Sequence, residues 1–382
     1  MATPPPKYDF FSRIARIVNS GQSRAVMVAG EVHDLFFVGD KAAKLDESQD
    51  NGNSAQDALA GEYVPLMPYL CKQCDIPGVV LLVYELNGPI RCVDPDDRRR
   101  LRDAWIQWKT GLSPDHFTLK ALTDPDAGKQ KQQLEQAFDQ RIGEATGRPT
   151  AALELLRQLT LCARHQRRYA PDSQDLRLMI LIEAADMLLP TGGGDISNLN
   201  AADRHRVAIL QDWLSDPAFI DGEDTLLMLT ESRSAVHPRV AGLPQVLSVE
   251  VASPDAGMRR HYIDWFCAHQ ESQGKGVPVL GDEPGRLSRD KLASLTAGLS
   301  IHALRQLLIQ SAYSGEPVTA PGVIEQVERY IVGQLGEDTV EFSKPEHTLD
   351  DVVGYARLKA FLRDEMIPRI RATVEESLPG AA

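Results

Sequence analysis

Residues 178–190 read LMILIEAADMLLP. Five apolar side chains run unbroken into Glu183, two alanines follow, and Asp186 comes next. A strand with one wet face alternates apolar and polar residues. An unbroken apolar run marks a strand covered on both faces, as in a parallel sheet packed between helices.

Strand-like runs recur along the chain, and the middle three of five are nearly continuous apolar ones. Segments 24–30 (RAVMVAG), 78–85 (GVVLLVYE), 176–183 (LRLMILIE), 225–230 (TLLMLT) and 245–251 (QVLSVEV) read as five strands. Helical patterns separate them: 151–163 follows Arg148-Pro149, 202–214 puts Val207, Leu210, Trp213 and Leu214 on one face, and 254–270 carries another. Strands alternating with helices predict an α/β fold, a parallel sheet sandwiched by helices with right-handed crossovers. Two stretches interrupt this order. Segment 39–61 is rich in Asp, Asn, Ser and Ala and reads as a mobile loop. Segment 124–147 is strongly polar and reads as an inserted, exposed helix. A Gly/Pro-rich linker follows residue 272, and a helical block starts at Ser288, giving a C-terminal α-helical lid over 273–335. No internal repeat is visible.

Composition narrows the function. The chain has 382 residues, 43% of them hydrophobic, enough for roughly two or three domains. Its net charge of −13 argues against nucleic acid as a partner. Two short basic runs, 98–102 and 164–168, read as solvated helix faces or, more sharply, as a docking edge for an acidic neighbour. No apolar run reaches the length of about 18 residues that a membrane span requires, and the N-terminus lacks an apolar signal segment. Five cysteines spread over a long chain do not suggest a disulfide framework, and the lone Cys71-x-x-Cys74 fits core packing better than metal or redox use. These features read as a cytoplasmic protein with no membrane partner.

Four pieces, in order, resemble the AAA+ ATPase family and its AAA branch. Ile180-Leu-Ile-Glu-Ala-Ala-Asp186 is similar to the family's second nucleotide motif, a hydrophobic strand followed by Asp-Glu. The stretch 226–240 is similar to its sensor strand and the Pro-bearing loop beyond, and 249–259 to the strand–Pro-Asp–helix element leading to the lid. Segment 292–304 resembles the lid's Leu-Ala-x-x-Thr-x-Gly stretch before a helix. A fifth piece, 346–359, resembles the sequence that opens an AAA module, so 1–335 is expected to be a first module (1–272 plus the lid) and 346–382 the opening of a second, including a helix over 351–371. The resemblance implies the degenerate front half of a tandem, ATP-driven protein-remodelling machine. Such halves form homo-oligomers or rings with AAA-type partners and can engage protein substrates.

The nucleotide chemistry is degraded in the sequence. A phosphate loop needs G-x-x-x-x-G-K-[ST]: glycines for close backbone approach, lysine for the β/γ-phosphates and a hydroxyl for Mg²⁺. No stretch satisfies it. The first strand runs instead into Gly30-Glu-Val-His-Asp-Leu-Phe-Phe37, where Glu31 and Asp34 would repel phosphate. Thr191-Gly-Gly-Gly-Asp195 is glycine-rich without a lysine. By the resemblance, Glu183 takes the Mg²⁺-binding acid's position, Ala184 that of the glutamate that activates water, and Ser232 that of the sensor asparagine. The paired arginines have no counterpart in 241–245. Each of these groups contributes a factor of about a hundred or more to phosphoryl transfer, so turnover of ATP is not expected.

Gly30, Glu183, Ala184, Asp186, Ser232 and Arg233 therefore mark a degenerate nucleotide site. Glu183 and Asp186 read as solvated or capping acids, or as weak Mg-ATP ligands. Arg233 reads as a structural residue of the sensor loop, or as a contact to a partner subunit. His33 with Asp34 suggests a dyad, but no nucleophile motif such as G-x-S-x-G accompanies it. His261 and His269 lack metal-protease spacing. Ser300 is placed to cap a helix whose Leu304, Leu307 and Leu308 form an apolar stripe. No cofactor is required, and no metal site is expected. Two other roles stay open: an ATP-binding enzyme with an unusual phosphate loop, and a free-standing adaptor for a full-length AAA partner.

Overall fold

The computed structural model describes residues 4–39, 59–112, 114–169, 176–283, 286–335 and 355–362. Residues 1–327 form one compact unit and 328–382 another.

In the first unit, six strands form one sheet: β1 (Ala25–Gly30), β4 (Val79–Tyr84), β5 (Ile90–Cys92), β6 (Arg177–Ile182), β7 (Thr225–Thr230) and β8 (Val246–Val251). They lie in the order β5-β4-β6-β7-β1-β8. All neighbours are parallel except the edge pair β4–β5. The five strands read from the sequence are these five parallel strands.

Side chains alternate between two cores, as a pleated strand requires. Ala25, Met27, Leu178, Ile180, Ile182, Leu226 and Met228 face one. Val26, Val28, Met179, Leu181, Leu227 and Leu229 face the other. Two helices, α1 (Asp9–Asn19) and α2 (Leu66–Gln73), pack on the second face. The first face is covered by α3 (Pro95–Thr110), α4 (Pro114–Thr123), α5 (Pro125–Ala145), α6 (Pro149–Tyr169) and α8 (Ala201–Leu214). The short helices α7 (Ala185–Leu188), α9 (Pro217–Ile220) and α10 (Pro238–Ala241) lie in the connections.

Three of these helices open on Asp-Pro. Asp94, Asp124 and Asp216 each accept a hydrogen bond from the second backbone N–H beyond them, with proline first in the helix. The cap fills an orphan donor and proline needs none. The polar 125–145 helix is not simply exposed, as expected: Phe138 and Ile142 are buried against α3 and α6. The basic run of α3 serves the same packing. Arg98 and Arg102 reach Asp139 and Glu135 of α5, and Arg100 reaches Asp97. In α6, Arg164 pairs with Asp216, and Arg167 holds the buried Asp224 ahead of β7.

The lid comprises α11 (Ala256–Ser272), α12 (Arg289–Leu295), α13 (Ile301–Ser314) and, up to residue 327, α14 (Ala320–Leu335). Tyr262, Ile263, Phe266, Leu292, Leu304 and Leu308 share its core, so α11 packs with the lid helices. Ser300 caps α13 by accepting from the Ala303 N–H. The cysteines are free, and burial pushes the Cys74 thiol up to about 12, which suits core packing.

The main departure from the expected fold lies after β1. An antiparallel pair, β2 (Leu35–Gly39) and β3 (Gly61–Pro65), flanks the expected 39–61 loop, of which 40–58 lies outside the described residues. In the second unit, α15 (Ala356–Phe361) falls within the expected 351–371 helix, most of which is also outside the described residues. No described helix is long and apolar enough to cross a membrane.

Candidate functional site

β1, β6 and β7 end side by side at one edge of the sheet. In doubly wound sheets, ligands bind outside the carboxyl ends of the strands. A hollow of about 200 Å³ opens there, lined by His33, Leu66, Met67, Glu183, Ala184, Asp186, Met187 and Glu231, among others. The structure therefore gathers three of the six candidate positions, Glu183, Ala184 and Asp186, around one cavity.

The electrostatics of this cavity oppose an anion. Its acids are Glu183, Asp186 and Glu231, and its one basic group is His33. The His33 Nε2 lies 3.2 Å from the Glu231 carboxylate, and both side chains are exposed. Burial, and secondarily the nearby Glu85 charge, holds the Glu183 carboxyl above its ordinary range. The His33–Asp34 dyad suggested by the sequence does not form: His33 turns to Glu231, and Asp34 turns to the lid.

Ala184 occupies the left-handed region, at φ 51° and ψ 53°, just before α7. That conformation costs a residue with a Cβ roughly 1–2 kcal/mol. Backbone strain of this kind collects at functional sites. Here it turns the chain from the end of β6 into α7.

The remaining three positions are engaged locally. Gly30 has φ 117°, and a Cβ there would lie 2.4 Å from the Val251 carbonyl oxygen. The glycine is thus required by the close approach of β8, whatever a phosphate would have needed. Ser232 caps a short turn by accepting from the Ser234 N–H. The Arg233 guanidinium donates to the Ala241 carbonyl at 2.6 Å.

The connection from β1 to α2 is where a phosphate loop would lie. The β2–β3 pair occupies it, held on its far side by the lid. The Trp265 indole N–H donates to the Gly61 carbonyl at 3.0 Å, and the Tyr63 hydroxyl lies 2.7 Å from the buried His261 Nδ1. Tyr63 also meets the rings of Tyr262 and Trp265 edge-on or tilted. His269 stacks on Trp265 and is exposed. These contacts join residues about 200 positions apart, and no local pattern announces them.

A nucleotide's phosphates need a cradle of free N–H groups, a lysine and a hydroxyl for the metal. At this connection the Gly30 and Glu31 N–H groups are already bonded, to the Glu231 and Val251 carbonyls. The residues present do not fit that group. Among the described residues, no three His, Cys, Asp or Glu side chains converge on a point that a metal ion could take.

A mostly parallel sheet in this order, followed by a helical lid, defines an AAA+-type module. The sequence matches the family model "AAA+ chaperone, N-terminal Rossmann-like domain" over residues 4–252. It matches "AAA+ chaperone, second helical domain" over residues 258–331. The chain belongs to the AAA+ chaperone family. Among solved structures, a chain of the E. coli MS115-1 HORMA:CdnC:Trip13 complex is 13% identical, with a TM-score of 0.39 over 83% of this chain and 77% of that one. A likeness that slight carries no argument about function. No curated protein matches by sequence.

Proposed function

We propose that this chain is a non-hydrolysing AAA+ module, a scaffold for the assembly of an ATP-driven protein-remodelling machine. In this role it binds protein partners, as a homo-oligomer or in a ring with active relatives, and needs no nucleotide of its own. The observation that most supports this reading is the connection after β1. A strand pair docked on the lid stands where phosphate would be cradled, and the adjoining hollow carries three acids against one histidine. Ala184 adds to it, since a methyl group neither takes a proton nor orients water.

The purified full chain tests the proposal through ATP turnover and a calorimetric titration with Mg-ATP. The expected result is turnover at the level of a blank and no saturable heat. The Ala184→Glu variant is expected to gain no turnover, because restoring a base supplies no lysine. Saturable, Mg²⁺-dependent binding, or turnover that survives rigorous purification, would replace this reading with an ATPase that uses an unusual phosphate loop. Sedimentation should show self-association, or co-assembly with an AAA+ relative.

A further inference from the structure

The start of α13 has an unusual partner. The first helical N–H groups have no acceptor within the helix, and their dipoles favour an anion. Ser300 takes the Ala303 N–H. The Ile301 and His302 N–H groups are taken by Asp34, whose two carboxylate oxygens accept them at 2.9 and 2.8 Å. Asp34 lies 267 residues upstream of Ile301, in the turn that leaves β1, and is only 4% exposed. A carboxylate of the sheet domain is thus buried against a helix start of the lid. The same turn continues into the β2–β3 pair, which Trp265 and His261 of α11 hold from the other side.

Burying a charge is unfavourable unless hydrogen bonds satisfy it. Desolvation raises the Asp34 carboxyl above its ordinary value, although both oxygens accept backbone N–H bonds. An ordinary surface cap bears no such desolvation. Helix starts of this kind are ready sites for a carboxylate or phosphate.

We infer that Asp34 is a built-in anion that holds the lid against the sheet domain, so that closure of this module requires no bound ligand. The inference stands on the geometry of the first unit and does not depend on the scaffold role proposed above.

Hydrogen exchange of the full chain reads it out at the amides of Ile301 and His302 and along α13. In the wild type, neither Mg-ATP nor sodium formate is expected to change their protection. In Asp34→Ala, exchange at the helix start should quicken roughly ten- to a hundredfold, the range for a lost charge-assisted bond. Formate, small enough to replace the missing carboxylate, should restore part of the protection; sodium chloride at equal ionic strength should not. Asp34→Asn keeps the volume and one acceptor oxygen, so its exchange should fall between the two. It serves as the test variant if the alanine variant does not fold.

Unchanged exchange in the variants would overturn the inference. So would faster exchange that formate does not slow, since Asp34 would then be only one packing contact among several. Protection of the wild-type helix start by Mg-ATP would overturn it as well. ATP turnover with α13 exchange unaffected would instead remove the scaffold proposal and leave this one standing.

Discussion

β1 and β6 end at the same edge of one sheet, with only β7 between them. Past β1 the chain is tightly engaged. Gly30 lies against β8, Asp34 is buried on α13, and the β2–β3 pair is pinned by Trp265. Past β6 Ala185, Leu188 and Leu189 are buried, and the strain gathers at residues that line the hollow. Glu183 is half-buried near a like charge, Ala184 is held in a left-handed conformation, and Met187 is exposed at the rim of the hollow. In a nucleotide-dependent module these two ends would act on one ligand. Here the first packs between domain and lid, and the second keeps Glu183, Asp186 and Glu231 around a hollow whose one lining basic residue is His33. On the β1 side, the chain's own side chains bond the sheet domain to the lid.

If that contrast is right, substitutions past β1 should damage the fold and substitutions past β6 should relieve it. The largest effect is expected from Gly30→Ala. A Cβ at φ 117°, 2.4 Å from a backbone oxygen, forces β8 to move. Overpacking and backbone strain together should cost roughly 3–5 kcal/mol in chemical denaturation. A wild-type denaturation midpoint would show that β8 is not fixed there.

Trp265→Ala comes next. It removes a partly buried ring and the bond to Gly61, and should cost about 2–3 kcal/mol, below the range for a fully buried tryptophan. It should also speed exchange in β3. Loss of stability without that local change would show that the lid does not hold the hairpin.

Past β6 the sign reverses. Ala184→Gly should raise stability by about 0.5–1 kcal/mol, because glycine enters the left-handed region freely and the gain outweighs its looser unfolded chain. A loss would mean that Ala184 is favoured where it stands.

Glu183→Gln should give the smallest effect, a gain of at most ~0.5 kcal/mol once solvent screening of a half-buried group is allowed for. The sign follows from linkage. Glu183 binds its proton more tightly in the folded state, so its ionisation opposes folding as pH rises through the carboxylate range. The advantage of glutamine should therefore be present at neutral pH and vanish in acid. Were Glu183 a metal ligand instead, Mg²⁺ would raise the wild-type melting temperature and leave that of the variant unchanged.

The sequence alone determined a good deal. Nearly unbroken apolar runs gave the three strands at 78–85, 176–183 and 225–230, because burial on both faces leaves no place for polar residues, and the runs at 24–30 and 245–251 gave the other two. The Leu178–Ile182 run and the ordered pieces after it were enough to point to the AAA+ family. Ser300 as a cap was also legible, since the N–H that it accepts lies three residues away. The Asp-Pro starts at 94 and 124 and the αL glycine at 111 were equally local signals for α3 and α5, masked by the polarity of that region. Tertiary structure alone decided the rest. Leu35–Gly39 and Gly61–Pro65 become strands only by pairing with each other. Asp34 reads as a repellent of phosphate until α13, far along the chain, brings two N–H groups to it. Tyr63, His261 and Trp265 are unremarkable in sequence and meet only once the lid is in place. Periodicity and caps act over a few residues and are written locally. A hydrogen bond across 267 positions depends on where the whole chain has placed its ends.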